Sequence, residues 1–308
     1  MADERPLVWL PFDSAELGEA PDGLRYETVR PTGDDIPDSA AQVRFYVPAY
    51  DLGSEQTKVF DKMTQLEVVQ TLTAGVDHIR DQVPDGVLLC NGRGIHNTST
   101  SELALTLTLA SLRGVPGFVR DQAEHRWNQG WRSTLADSTV LILGYGDIGR
   151  DIEARLLPFE VDTVLRVART ARDGVHALED LPDLLPRADV VVCVLPGTEA
   201  TKGLVDAGFL AQLKEGALLV NVGRGSVVVT DDLVDALTAG RVHAALDVMD
   251  PEPLPEDHPL WSAPNLLLTP HVGGASPAMW PRAYRVVREQ LERFAAGDQV
   301  ANVMTGEY

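Results

Sequence analysis

Short, uninterrupted apolar runs recur along the chain and alternate with segments of helical periodicity. Such Val- and Leu-rich runs, without alternation of apolar and polar residues, indicate strands that are buried on both faces. Helices between strands of this kind predict parallel α/β sheets, and about ten strands are too many for one modest sheet. We therefore expect an α/β fold with two parallel sheets. The ten runs are PLVWL (6–10), QVRFYV (42–47), LEVVQT (66–71), GVLLC (86–90), STVLILG (138–144), DTVLRV (162–167), DVVVCVLP (189–196), GALLVNV (216–222), VHAALDV (242–248) and NLLLTP (265–270).

A change in composition divides these runs into two groups. Residues 91–102, NGRGIHNTSTSE, are rich in Gly, Asn, Ser and Thr and offer several caps for the helical segment that follows. A closing helical pattern at 278–297 ends on glycine and has no strand after it, so we expect it to return to the first group. The predicted domains are 1–97 together with 282–308, and 98–281.

Composition narrows the class of protein. Apolar residues make up 44% and charged residues 23% of the 308, which is typical of a soluble globular protein. A formal net charge of −20 opposes binding to nucleic acid or to a membrane surface. The acidic N-terminus does not resemble a signal peptide, and no run approaches the roughly 18 apolar residues of a membrane span. Cys90 and Cys193 end apolar runs, where buried free thiols are expected, and no Cys/His spacing suggests a metal site. We expect a cytoplasmic protein without a bound metal.

The segment GYGDIG has the spacing of a dinucleotide-binding turn. Gly144, Gly146 and Gly149 follow the run STVLIL and precede a helical pattern, which is the context that this motif requires. The first glycine permits a tight turn, the second lets the backbone approach a pyrophosphate, and the third allows close helix packing. The helix N-terminus then offers N–H groups to the phosphates. We therefore expect a Rossmann-like domain here, with a Rossmann-like or flavodoxin-like domain for the first group of strands.

Arginines stand where such a site usually carries an acid. The acidic position that binds the ribose hydroxyls of NAD falls at about Val167, while Arg166, Arg169 and Arg172 surround it. These arginines have two interpretations: a solvated charge run at a strand end, or a site for the 2′-phosphate of NADP. Because a chain of net charge −20 must concentrate positive charge to hold a polyanionic cofactor, we favour NADP(H), with NAD(H) as the second cofactor to consider.

Three ionisable residues follow apolar runs in the second half of the chain. Arg224 lies between glycines in NVGRGSVV, Glu252 lies between prolines in LDVMDPEPLP, and His271 lies in LLLTPHVGG. Open α/β sheets bind ligands at the carboxyl ends of their strands. Arginine can hold a carboxylate in bidentate fashion, histidine can transfer a proton near neutral pH, and a carboxylate can orient the imidazole. Each residue alone could be structural, but together they predict catalysis.

These segments resemble the D-isomer-specific 2-hydroxyacid dehydrogenases. The similarity extends from about Leu66 to the C-terminus and includes TAGVDHI, TSELAL, GYGDIG, VLPGTEATKGLVD, LKEGALLVNVGRG, ALDVMDPEPL and PLWSAPNLLLTPH. The resemblance implies reduction of a 2-keto acid by hydride transfer from a nicotinamide cofactor. The arginines at the strand exit resemble those of the NADPH-preferring glyoxylate/hydroxypyruvate reductase branch. The resemblance to the family also implies that the protein is a homodimer. The arm HRWNQGWR at 125–132 would contribute to the dimer contact, although its tryptophans could equally belong to the chain's own core.

The resemblance also implies a role for each matching residue. The catalytic set is Arg224, Glu252 and His271, with His271 as acid/base. The substrate contacts are Gly75, Val76, Arg224 and His271. The cofactor contacts are Gly144, Tyr145, Gly146, Asp147, Ile148, Gly149, Arg166, Arg169, Leu195, Pro196, Thr198, Val222, Gly223, Arg224, Asp247, His271 and Gly273.

Three positions depart from the family pattern, and one other class of function fits the same fold. Glu160 stands where glycine is usual, Met249 replaces a common phenylalanine, and Gly223 stands where alanine is frequent. None of the three removes a catalytic group. The alternative function is a nucleotide-sensing binding module of the corepressor kind, in which catalysis is incidental, because fold alone does not determine function.

Overall fold

The computed structural model describes residues 3–32 and 35–306, which form two compact units. One unit comprises the described residues up to His96 together with those from Pro277 onward, and the other spans Asn97–Ser276. The sequence predicted the first boundary after residue 97, one residue beyond the observed end at His96. It predicted the second after residue 281, five residues beyond the observed end at Ser276.

The first unit contains a five-stranded sheet of order β2-β1-β3-β4-β5, in which every paired strand is parallel. Its strands are β1 (Leu7–Leu10), β2 (Arg25–Thr28), β3 (Val43–Tyr46), β4 (Val68–Gln70) and β5 (Leu88–Cys90). The helix numbered α7 in chain order (Met279–Ala296) packs on one face of this sheet through Ala283, Val287 and Leu291. The closing helix therefore belongs to the first unit, as its pattern predicts.

The second unit contains a six-stranded parallel sheet of order β11-β10-β9-β8-β6-β7. Its strands are β6 (Thr139–Leu143), β7 (Thr163–Val167), β8 (Val190–Cys193), β9 (Ala217–Asn221), β10 (Val242–Leu246) and β11 (Leu266–Leu268). Its helices are α1 (Asn97–Leu112), α2 (Val115–Ala123), α3 (Asp147–Leu156), α4 (Leu181–Leu184), α5 (Ala207–Gln212) and α6 (Thr230–Thr238).

Helices cover both faces of this second sheet, which is why apolar residues predominate on both faces of its strands. Successive residues of a strand point to opposite faces. Leu141 therefore joins a core with α5 and α6, whereas Val140 and Ile142 join a core with α1 and α3. The expected fold class, two parallel-sheet α/β domains, is confirmed.

One strand has no counterpart among the ten apolar runs. Strand β2, with the sequence RYET, pairs with β1 at the edge of the first sheet, and its first three residues are only half-buried. An edge strand with this little burial does not require a continuous apolar run, so its sequence gives no strong strand signal.

Two of the unusual positions have a backbone explanation. Glu160 adopts a φ of 59°, in the left-handed region where glycine is most easily accommodated. The other is Gly223, where a Cβ would lie 2.6 Å from the carbonyl oxygen of Leu195, so this backbone has no room for alanine. The third position, Met249, is buried in the apolar core of the second unit.

Candidate active site

The loops after β6, β8 and β9 pack directly against one another at the carboxyl edge of the second sheet. A Cβ at Gly144 would lie 2.7 Å from the carbonyl oxygen of Val194, and one at Gly223 would lie 2.6 Å from that of Leu195. Both distances are too short for a side chain. Glycine at these two positions therefore lets the dinucleotide turn, the VLPGT loop and the loop that carries Arg224 lie in contact.

The loops after β9, β10 and β11 continue this row of contacts. A Cβ at Gly225 would lie 2.0 Å from the carbonyl oxygen of Met249, so the loops after β9 and β10 touch backbone to backbone. The amide of His271 donates to the carbonyl of Asp247 at 2.8 Å, which joins the loops after β10 and β11. The three predicted catalytic residues thus lie on three adjacent loops at one edge of the sheet.

His271 and Glu252 form a direct contact. Nδ1 of His271 lies 2.5 Å from Oε1 of Glu252. The two side chains are 48% and 36% exposed, so the pair is accessible. Because Nδ1 is bound to the carboxylate, Nε2 is the ring nitrogen left to exchange a proton with a substrate. This is the arrangement of a general acid/base whose ring is oriented by a second group.

The carboxylate of Asp247 holds the backbone around His271. It is 1% exposed and accepts hydrogen bonds from the amides of Val272 at 2.9 Å and Gly273 at 2.8 Å, and from the hydroxyl of Thr269 at 2.6 Å. His271 itself has a φ of 52°, an unfavourable conformation for a residue with a Cβ. Such a conformation persists where surrounding contacts impose it. The loop wrapped around Asp247 supplies those contacts.

Arg224 is half-buried and follows β9. Its Nη1 donates to the carbonyl of Gly223 at 2.8 Å, and its own carbonyl accepts from the side-chain amide of Asn221 at 2.9 Å. A Cβ at Gly197 would lie 3.3 Å from Cγ of Arg224, so the VLPGT loop packs against the arginine stem. The stem and the backbone of Arg224 are therefore held from both sides.

The glycine turn has the geometry of a phosphate cradle. Gly144 has a φ of 112°, and a Cβ at Gly149 would lie 2.6 Å from the carbonyl oxygen of Gly144, so the turn and α3 pack closely. A Cβ at Gly146 would meet no atom within 4 Å, which leaves its side open to a ligand. Helix α3 begins at Asp147, so the amide of Ile148 lies in a first turn whose N–H groups have no acceptor within the helix. These features fit a dinucleotide pyrophosphate.

The three arginines of the β7 exit have different surroundings. Arg166 is half-buried, and its Nε lies 3.0 and 2.9 Å from the two carboxylate oxygens of Glu153. Arg172 is exposed, and its Nη2 donates to the carbonyl of Tyr145 at 2.5 Å. Arg169 is exposed at the strand exit. The structure therefore separates a cluster that is uniform in sequence into one half-buried arginine and two exposed arginines.

The remaining predicted site residues lie in the loops already described or in the first unit. Leu195 and Val222 are buried after β8 and β9, and Pro196 is partly buried. The hydroxyl of Thr198 lies 3.0 Å from that of Thr201, which closes the VLPGT loop. Gly75 and Val76 are buried in the loop after β4 of the first unit, where their role stays a prediction.

Two residues that contact the candidate site residues were not anticipated from the sequence. Glu153 lies on the buried face of α3 beside Ile152 and Leu156, where a carboxylate is rare unless it is paired. That position on the apolar face is the signal that could have identified it. Thr269, which donates to Asp247, carries no comparable signal because strand-end threonines are common.

Comparison with known proteins identifies the family. Residues 105–273, more than half of the chain, match the family model "D-isomer specific 2-hydroxyacid dehydrogenase, NAD binding domain". A glyoxylate reductase/hydroxypyruvate reductase from Homo sapiens is 35% identical over 225 residues, which cover 68% of this chain and 68% of that protein. The chain therefore belongs to the D-isomer specific 2-hydroxyacid dehydrogenases, and the resemblance inferred from its motifs is confirmed. Members of this family are NAD(P)-dependent oxidoreductases that act on the CH–OH group of 2-hydroxy acids.

Solved structures agree over nearly the whole chain. A D-isomer specific 2-hydroxyacid dehydrogenase family protein from Aeromonas salmonicida subsp. salmonicida has a TM-score of 0.86 at 30% identity, with 99% of this chain and 100% of that chain covered. A D-isomer specific 2-hydroxyacid dehydrogenase from Xanthobacter autotrophicus Py2, solved in complex with NADPH and MES, has a TM-score of 0.80 at 31% identity, with 97% of this chain and 98% of that chain covered.

Among the described residues, no helix combines the length and the apolar composition that a membrane span requires.

Proposed function

We propose that the protein is an NADP(H)-dependent 2-keto acid reductase, equivalently a D-2-hydroxyacid dehydrogenase, with glyoxylate- or hydroxypyruvate-like substrates. The observation that carries this proposal is the contact between His271 and Glu252, 2.5 Å from nitrogen to oxygen, on loops adjacent to the one that bears Arg224. The human relative described above, a glyoxylate reductase/hydroxypyruvate reductase, supports the substrate class.

The chemistry assigns one task to each of the three side chains. Arg224 binds the carboxylate and the carbonyl oxygen of a 2-keto acid, and its guanidinium stabilises the negative charge that develops on that oxygen. His271, held by Glu252 through Nδ1, donates a proton from Nε2 to the same oxygen. In the reverse direction neutral His271 accepts the proton of the 2-hydroxyl group. The nicotinamide cofactor, when bound, supplies the hydride that adds to the carbonyl carbon.

The glycine turn and the start of α3 indicate which residues would bind the cofactor. The backbone at Asp147 and Ile148 would face the pyrophosphate, with Gly146 allowing its approach. The side chain of Asp147 is paired with Arg150, which limits its repulsion of the phosphates. The exposed positive charge at the β7 exit supports NADP(H) over NAD(H). The relative from Xanthobacter autotrophicus Py2, whose structure contains NADPH, supports the same preference.

The proposed function predicts measurable oxidation of NADPH by small 2-keto acids. Purified protein mixed with glyoxylate or hydroxypyruvate should oxidise NADPH faster than it oxidises NADH, as followed by the loss of the reduced cofactor's absorbance. Phenylpyruvate, with its bulky side chain, serves as the comparison substrate. Bound NADPH without oxidation across a broad 2-keto-acid panel would contradict the proposal and favour the nucleotide-sensing alternative. Faster turnover with NADH would contradict only the cofactor preference.

We further propose that the protein forms a homodimer through the arm that follows α2. Trp127 is 93% and Trp131 100% exposed, so the alternative that these tryptophans belong to the core of their own unit does not hold. The base of the arm is fixed, because Nε of Arg126 donates to the Asp121 carboxylate at 2.9 Å. An arm that is held at its base and presents two exposed tryptophans is typical of an interaction surface, since tryptophan is enriched among residues that dominate interfaces.

The dimer proposal predicts that the arm tryptophans control the oligomeric state. Sedimentation velocity should show a dimer for the unaltered protein, whereas the double variant Trp127→Ala with Trp131→Ala should shift toward monomer. Because each tryptophan that dominates an interface contributes about 2 kcal/mol or more, removing both should raise the dissociation constant at least about 10³-fold. Leu157→Ala, which removes an exposed apolar side chain at the end of α3, is the matched control and should remain dimeric. A monomeric unaltered protein, or a double variant that stays dimeric, would contradict the arm's role.

A further inference from the structure

In the first unit, the loop after β4 lies against the segment that follows β5. The amide of Gly92 donates to the carbonyl of Thr73 at 2.7 Å. A Cβ at Gly92 would lie 2.8 Å from the carbonyl oxygen of Leu72, so only glycine allows the two backbones to approach this closely. The segment after β5 therefore supports the loop that contains Gly75 and Val76.

Asn91 determines the direction of one peptide group in this loop. Its Nδ2 donates to the carbonyl of Ala74 at 3.1 Å. The peptide bond between Ala74 and Gly75 is trans, so its C=O and N–H groups point in opposite directions. Because the carbonyl points toward Asn91, the amide of Gly75 points away from it. A backbone N–H that is held in this way can donate to an anion such as a carboxylate.

A buried polar network holds the backbone of Asn91. The carbonyl of Asn91 accepts from Nε2 of Gln70 at 3.0 Å, and its amide donates to the carbonyl of Asn302 at 3.1 Å. Oε1 of Gln70 in turn accepts from Nε2 of Gln290, on α7, at 2.6 Å. Gln70 and Gln290 are both buried, where polar groups are retained only with hydrogen-bond partners.

The same network includes residues near the C-terminus. The side-chain amide of Gln290 donates to the carbonyl of Ala301 at 2.7 Å, and its oxygen accepts from the amide of Ala301 at 2.7 Å. The amide of Met304 donates to the carbonyl of Leu89 at 2.8 Å, so this segment lies along β5. Asn91 is therefore held by β4 and by the C-terminal segment, and α7 ties the two together.

We infer that Asn91 is a positioning residue for substrate binding, which directs the amide of Gly75 toward the carboxylate of a 2-keto acid. The inference rests on the proposed 2-keto acid reductase function and adds a residue outside the set expected from the sequence. Asn91 acts through the Ala74 carbonyl without contacting the substrate, and the pair Gln70 and Gln290 keeps Asn91 in place.

The test separates substrate binding from turnover. Asn91→Leu removes the Nδ2 donor and keeps an uncharged side chain of similar size. Its KM for glyoxylate should rise about tenfold or more, which is the scale of one hydrogen bond to a charged group. Its kcat should change by less than about threefold, because His271 and Arg224 are unaltered. Isothermal titration calorimetry in the presence of NADPH should show an equal rise in the dissociation constant of oxamate, a carboxylate that accepts no hydride.

Tyr26→Phe is the matched control, because it removes another side-chain hydrogen bond to a backbone carbonyl of the first unit, that of Pro21 at 3.0 Å. Its KM should stay within about twofold of that of the unaltered protein. Asn91→Ala, which leaves space instead of filling it, decides the matter where Asn91→Leu fails to fold. Failure of both variants to fold would make Asn91 a structural residue and overturn the inference.

Three kinetic outcomes would also overturn it: an unchanged KM in a folded Asn91 variant, a loss confined to kcat, or an equal rise of KM in Tyr26→Phe. In each of these cases the unaltered protein still reduces glyoxylate, so the proposed function stands. An unaltered protein that neither reduces glyoxylate nor binds oxamate would instead refute the proposed function, and with it this inference.

Discussion

Replacing His271 by alanine should reduce turnover of 2-keto acids by about 10³-fold while the protein still binds NADPH. A positioned general acid contributes about 10²- to 10⁴-fold to a rate, and His271, which contacts Glu252 at 2.5 Å, is the residue that we propose for that task. Because the side chain is exposed and its backbone is held by the Asp247 carboxylate, its truncation should leave the fold intact. The measurements are kcat with glyoxylate and the dissociation constant of NADPH from fluorescence titration.

The control for this prediction is His125→Asn, on the exposed arm after α2. His125 has a φ of 54°, and asparagine tolerates that left-handed conformation better than most residues. Its turnover should match that of the unaltered protein. If His271→Ala retained more than a tenth of the activity, His271 would not be the proton donor.

Replacing Arg224 by lysine should lower kcat/KM by about 10²- to 10³-fold, mostly through weaker binding and poorer stabilisation of the substrate's oxygens. Lysine keeps the positive charge but lacks the planar fork that binds a carboxylate in bidentate fashion. It also lacks Nη1, which donates to the carbonyl of Gly223 at 2.8 Å and orients the guanidinium. The loss of one preorganised donor to a developing oxyanion alone costs about 10²-fold.

Arg187→Lys is the matched control, because Arg187 is exposed in the short helical turn before β8 and has no proposed role. Steady-state kinetics over a range of glyoxylate concentrations separates kcat from KM for both variants. Near-normal kinetics in Arg224→Lys would refute the bidentate role, while equal losses in both variants would indicate a general effect of the exchange.

Much of the architecture was readable from the apolar runs because burial on both faces of a sheet affects every residue of a strand. All ten runs contain strands of the two sheets, and the edge strand β2 was missed because little of it is buried. The glycine turn could be predicted because local backbone geometry requires glycine at Gly144, which has a positive φ, and at Gly149, where a Cβ would clash with the turn. The catalytic candidates Arg224, Glu252 and His271 could be chosen because all three follow predicted strands.

The sequence by itself determined the α/β class, the dinucleotide turn and the residue types of the site, because these depend on local periodicity and on chain position relative to strand ends. Only the tertiary structure decided which charges meet. The pairing of Arg166 with Glu153, thirteen residues away in the chain, depends on how a helix face is placed over a strand. The wrapping of residues 269–273 around Asp247 depends on the parallel alignment of β10 and β11. Ion pairs and hydrogen bonds of this kind are set by packing across the fold, which no periodicity within one segment encodes.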